Sequence, residues 1–144
     1  MAVEVLGYRF EDLTVGMNES LTHTVAESDL TGFAKISGDD NPIHLDEAYA
    51  KTTPFGGRIA HGMFTASLFS ALLGTRLPGP GAVYMSQTLF FRAPVFVGST
   101  ISARVEVIEL IEEKQRARLR CECQVGDELV LEGEALVYVP RRGQ

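Results

Sequence analysis

No charged residue falls between His61 and Arg76. The stretch from His61 to Leu73 has the spacing of a helix and is apolar nearly all round: Met63, Phe64, Ala66, Leu68, Phe69, Ala71, Leu72 and Leu73. A helix without a polar face is buried on most sides. Its apolar run, around Phe64 to Gly74, is interrupted by serines and falls short of a membrane span. Gly74 and the Pro78-Gly79-Pro80-Gly81 cluster close it. The rest of the chain must therefore wrap this helix.

Beyond the helix the chain reads as strand. Ala82 to Phe91 is rich in aromatic and β-branched residues. Ile101, Ala103, Val105 and Val107 alternate with polar residues, and the apolar phase then switches to Ile108 and Leu110, which predicts a bulge. Ala117, Leu119, Cys121, Cys123 and Val125 alternate with polar residues as a half-buried strand. Gly126-Asp127 is a hairpin turn, and Leu129, Leu131, Ala135, Val137 and Val139 line the last strand. Ahead of the helix, Ser20 to Val25 is a weak first strand. Glu27 to Ile36 has helical spacing with Ser28 as N-cap, and Asp46 to Lys51 is a further short helix. The economical arrangement is α+β: a curved antiparallel β-sheet wrapped around a long central helix. At 144 residues the whole chain, 1–144, is expected to be one domain, long enough to bury roughly 68–70% of its unfolded surface. A single wrapped sheet leaves edge strands unpaired, so a homodimer is expected.

Composition excludes several function classes. Thirteen basic against nineteen acidic residues give a net charge of −6, which argues against nucleic acid as a partner. Cys121 and Cys123 point the same way along a strand, do not pair with each other, and read as reduced core thiols of a cytoplasmic protein. The N-terminus carries no basic-then-apolar signal, and no membrane partner is expected. There is no phosphate-binding glycine motif, no metal-ligand cluster and no Gly-x-Ser-x-Gly elbow.

The chemistry sits in Ser37-Gly38-Asp39-Asp40-Asn41-Pro42-Ile43-His44, with His61-Gly62-Met63 opening the helix downstream. Pro42 fixes its own φ and pushes Asn41 towards extended backbone. That turn can hold the Asp39 carboxylate and the His44 imidazole over one water. Adding water to a double bond beside a carbonyl requires a proton taken from water and a proton given to Cα. Positioned acid–base groups contribute roughly 10²–10⁴-fold to such a step. The structural alternative is that Asp39 caps the next helix and His44 lies at the surface. Gly62 would present a free backbone N–H at the positive end of the helix, a donor for a developing oxyanion that is typically worth about 3 kcal/mol. Alternatively it only lets the chain turn. Gly62, Ala66, Ser70 and Gly74 form a stripe of small residues that could accept an acyl chain or a closely packed neighbour. His61 reads as a helix-start residue with a structural hydrogen bond. His23 and the arginines Arg116, Arg118 and Arg120 read as solvated.

The octet SGDDNPIH, with AHGMF downstream, resembles the MaoC-like, (R)-specific enoyl-CoA hydratase family. The resemblance continues through SLFSALLGTRLPGPGAVY and LFFRAPVFVGSTI and covers roughly residues 20 to 140. It implies a hotdog homodimer with no metal and no cofactor, coenzyme A being part of the acyl-CoA thioester substrate. It implies syn hydration of trans-2-enoyl-CoA to (R)-3-hydroxyacyl-CoA. Asp39 and His44 match the catalytic pair, Gly62 the oxyanion donor, and Ser70 and Leu73 the acyl pocket. LLGTRLPGPG most resembles the single-domain hydratases that supply monomers for polyhydroxyalkanoate synthesis. One of Arg58, Arg76 and Arg92 would bind the coenzyme A phosphates. The competing readings are a dehydratase acting on acyl carrier protein, a hotdog thioesterase, and an acyl-CoA-binding module without chemistry.

Overall fold

The computed structural model describes residues 7–144. Six strands form one antiparallel sheet: β1 (Asn18–Thr24), β2 (Val83–Gln87), β3 (Phe90–Phe91), β4 (Thr100–Ile111), β5 (Arg116–Val125) and β6 (Glu128–Tyr138). The spatial order is β1-β4-β5-β6-β2, with β3 also paired to β6. Four helices fall between β1 and β2: α1 (Glu27–Ser37), α2 (Pro42–Leu45), α3 (Glu47–Lys51) and α4 (Gly62–Thr75). α4 packs against β1, β4 and β2, so the sheet wraps the central helix as a hotdog.

The core forms where the alternating sheet residues meet α4. Ile101, Ala103, Val105, Val107, Leu119 and both cysteines are fully buried and face Phe69, Leu72 and Leu73 of the helix. Neither cysteine is in a disulfide. Burial pushes both thiols up to about 12. The expected bulge in β4 is present, as a register shift between Val107 and Glu109 against β5.

Several local expectations are corrected. α1 begins one residue before Ser28. Its N-cap is Ala26, and the Asp29 carboxylate accepts from the Ala26 N–H at 2.8 Å. The 39–42 turn leads directly into the one-turn helix α2, with Pro42 at its first position, where the missing N–H is not needed. Ala82 to Phe91 is two short strands, because the Thr88 carbonyl crosses directly over Gly133 of β6 and the register against β6 slips between Tyr84 and Ser86. In β6 it is Val130 that is buried and Leu129 that is not, because a second register shift follows Cys123. α4 is also less enclosed than its composition predicts. Met63, Ser67, Ser70 and Gly74 form a strip left open to solvent.

Candidate active site

α1 ends at Gly38, whose φ of 83° is left-handed backbone that glycine adopts without strain. The chain then reverses through Asp39 and Asp40. The Asn41 side chain caps α2 by accepting from the Ile43 N–H at 3.0 Å. Asp39 therefore does not cap this helix, and its carboxylate is left half exposed. α2 turns His44 inward, where it is buried. The Nδ1 of His44 lies 2.7 Å from the Ile59 carbonyl oxygen. A carbonyl can only accept, so Nδ1 carries the proton and, in the neutral ring, Nε2 carries the lone pair. That Nε2 lies 3.9 Å from Asp39 Oδ2. The separation exceeds a direct hydrogen bond and suits one water touching both atoms. Burial and the Ile59 bond remove the reading of His44 as a surface histidine.

His61 is the N-cap of α4 and is 2% exposed. Its Nε2 donates to the Asp39 carbonyl at 2.9 Å, so the expected structural hydrogen bond is present. Its ring also stacks on His44, with centroids 3.8 Å apart and planes 24° from parallel. That contact was not legible in the sequence. Gly62 comes next in the chain. The first hydrogen bonds of α4 run from Phe64 and Thr65 back to the His61 carbonyl, so the Gly62 and Met63 N–H groups have no partner inside the helix. A Cβ on Gly62 would lie 2.6 Å from Cε1 of Phe91. A side chain here could be fitted only if the exposed Phe91 ring moved aside, so close approach favours glycine, whereas the backbone at Gly62 does not need the left-handed region.

Two cavities flank α4. One of about 470 Å³ is lined by Gly62, Thr65, Phe91, Arg92, Phe55 and Ile59. The other, of about 570 Å³, is lined by Phe33, Met63, Ala66, Ser70, Tyr84 and Gln87 among others. Ser70 thus faces a groove about 12 Å along the axis from Gly62. Leu73 does not line it, being 2% exposed within the core. Of the three loop arginines, Arg58 is held between Glu27 and Glu47 with its pKa raised by those bonds. Arg76 donates to the Ser20 carbonyl. Only Arg92 lines the cavity at Gly62, where it pairs with Glu132 at 2.8 Å. His23 is not simply solvated: it bonds Asp29 at 2.8 Å and packs edge-on to Phe64.

Among the described residues, Asp39, His44 and His61 are the one group of three with potential metal-ligand atoms within 4.8 Å of one another. Each ring already commits one nitrogen to a carbonyl oxygen. The rings lie face to face, and each keeps one further nitrogen close to the Asp39 carboxylate. The arrangement suits proton transfer through a shared water beside a helix N-terminus.

Comparison with known proteins converges on one group. The MaoC like domain matches residues 13–128. The chain is 64% identical over 133 residues to a 3-hydroxybutyryl-CoA dehydratase of Methylorubrum extorquens, covering 92% of this chain and 85% of the relative. It is 50% identical to an (R)-specific enoyl-CoA hydratase of Rhodospirillum rubrum, covering 99% of each. Among solved structures it resembles an (R)-hydratase of Aeromonas caviae involved in PHA biosynthesis. The TM-score is 0.88 at 45% identity, covering 90% of this chain and 99% of that one.

Proposed function

The chain belongs to the MaoC-like domain family, and from that membership we propose that it is an (R)-specific enoyl-CoA hydratase. It adds water to trans-2-enoyl-CoA to give (R)-3-hydroxyacyl-CoA, and it catalyses the reverse dehydration. The observation that carries the reading is the pairing of a tautomer-fixed imidazole with a carboxylate at 3.9 Å, linked through His61 to an open helix N-terminus.

The proposed steps rest on the donors and acceptors. Ionised Asp39 and neutral His44 offer two acceptors, so a water between them points both O–H bonds at the protein and a lone pair outward. The thioester oxygen sits at the Gly62 N–H, where the helix dipole and a free donor favour the enolate. As the water oxygen bonds Cβ, the pair takes one of its protons. As the enolate collapses, the pair returns a proton to Cα. Both groups lie on one face of the double bond, so addition is syn. The C–O bond at Cβ and the C–H bond at Cα both form from one water with no change of redox partner, so the reading assigns no metal and no cofactor beyond the substrate's own coenzyme A. Ser70 lines the acyl groove, and Leu73 supports the helix behind it. Arg92 is the one loop arginine beside the Gly62 cavity and is assigned to the coenzyme A phosphates. The net charge of −6 disfavours an acidic carrier protein in place of coenzyme A.

The protein works as a homodimer. β2 is an edge strand on which Val83, Tyr84 and Met85 are all exposed, and it adjoins the open strip of α4 that carries Met63. An apolar edge of this kind is normally covered. The free, buried thiols suit the reducing cytoplasm. The product is the chemistry of a polyhydroxyalkanoate monomer, in line with the Aeromonas relative's role.

The test is a spectrophotometric assay of purified protein with crotonyl-CoA, with chiral analysis of the product. Loss of enoyl absorbance without free thiol, yielding the (R)-3-hydroxy acid, supports the reading. Thiol release would make the protein a thioesterase. Binding without turnover at any chain length would make it a binding module.

A further inference from the structure

His61 touches both members of the proposed catalytic pair. Its Nε2–H holds the main-chain carbonyl of Asp39 at 2.9 Å. Its ring lies flat against the His44 imidazole, with centroids 3.8 Å apart. Phe33 of α1 packs on the same ring at 4.9 Å, so His61 sits between an aromatic wall and the working imidazole. The residue is 2% exposed, and among the described residues its Nδ1 is buried without a hydrogen-bond partner. A buried nitrogen left unsatisfied costs free energy that an apolar residue would avoid. A histidine kept at that position is performing a task that a purely packing residue would not.

The geometry identifies the task. Asp39 lies just after the left-handed Gly38, in a reversal whose local bonds run from the Asn41 N–H to Asp39 Oδ1 at 3.3 Å and from the Asp39 N–H to Ser37 Oγ at 3.1 Å. Those bonds tie the reversal to itself. The His61 bond ties it to the start of α4, whose Phe69, Leu72 and Leu73 are anchored in the core. His44 is fixed at one ring nitrogen by Ile59, which leaves rotation about that bond as its remaining freedom. A flat partner at stacking distance removes it. We propose that His61 is a positioning residue, whose Nε2–H and ring face together hold Asp39 and His44 in the register that lets one water bridge them. This deepens the hydratase reading and rests on it.

Two variants separate the two contacts. His61→Phe keeps a buried flat ring and loses the donor. His61→Gln keeps a donor and loses the ring. Each should lower kcat with crotonyl-CoA by roughly 10- to 100-fold while KM stays within about twofold, since a misplacement near 1 Å costs rate on that order. Combined with Asp39→Asn, either should cost less than about twofold more, because groups acting as a unit are not additive. The chain has three histidines, so ¹⁵N-histidine spectra resolve each ring. In the wild type His61 should appear as the Nε2–H tautomer and His44 as the Nδ1–H tautomer, and in the variants the His44 signals should broaden or average. A merely structural role would leave the His44 tautomer unchanged and would multiply with Asp39→Asn. Either result overturns the proposal, as does unaltered kcat in both variants or a wild-type His61 bare at Nε2. The wild-type spectrum decides even where a variant fails to fold. If Asp39→Asn and His44→Ala themselves keep full turnover, the hydratase reading falls first. If they lose it while both His61 variants retain it, only this inference falls.

Discussion

At the residue scale, the glycine that opens α4 is under two constraints at once. Its N–H is unpaired inside the helix, and its Cα lies against the Phe91 ring. Gly62→Ala keeps the donor and adds one methyl that would meet that ring at 2.6 Å. The expected outcome is a fall in kcat/KM of about tenfold or more in steady-state assays, with the thermal midpoint within a few degrees, because the half-exposed Phe91 ring can yield. Much of this site was legible in sequence. Asp-x-Asn-Pro-x-His announces an acid and an imidazole on a stiff turn, and His-Gly before an apolar run announces a helix start. The hidden part depends on tertiary approach. The His61–His44 stack joins residues 17 apart through the packing of α2 against the start of α4, and no local pattern encodes a ring-to-ring contact. The Ile59 carbonyl that fixes the His44 tautomer is a main-chain atom, which side-chain motifs cannot report.

At the scale of elements, Gly133 shows where strand patterning fails. A Cβ there would lie 1.8 Å from the Thr88 carbonyl oxygen, a main-chain atom that cannot rotate away. Gly133→Ala should therefore destabilise the fold by about 3 kcal/mol or more, read as a lowered midpoint in chemical denaturation. The same crossing divides Ala82–Phe91 into β2 and β3, although its composition reads as one continuous strand. The helix and the long strands were readable because their periods are sustained: α4 runs for 14 residues and β4 for 12, and the β4 bulge appears in the sequence as a phase switch. The shift after Cys123 was not readable, since Leu129, Val130 and Leu131 are all apolar and only the partner strand decides which of them faces inward.

For the whole molecule, α4 is left uncovered along Met63, Ser67, Ser70, Ala71, Gly74 and Thr75, and β2 continues that uncovered surface. On the homodimer account, Val83→Lys with Met85→Lys should shift sedimentation from dimer towards monomer and lower turnover. Unchanged sedimentation would place the interface elsewhere. The core carries its own pH signature. Burial pushes Cys121 and Cys123 from 9.0 up to about 12. A thiol with a raised folded pKa contributes stability that is complete below its unfolded pKa and is lost as the pH rises through its folded value. The thermal midpoint should therefore decline between pH of about 9 and about 12, and less steeply in Cys121→Ala/Cys123→Ala. The central claim, that Asp39 and His44 together handle the protons of hydration, is tested most directly by single-turnover and steady-state rates of Asp39→Asn and His44→Ala on crotonyl-CoA, beside thermal midpoints. The account predicts that each loses about two orders of magnitude or more in kcat with the midpoint nearly unchanged. Retention of most of the wild-type rate by either variant would contradict it.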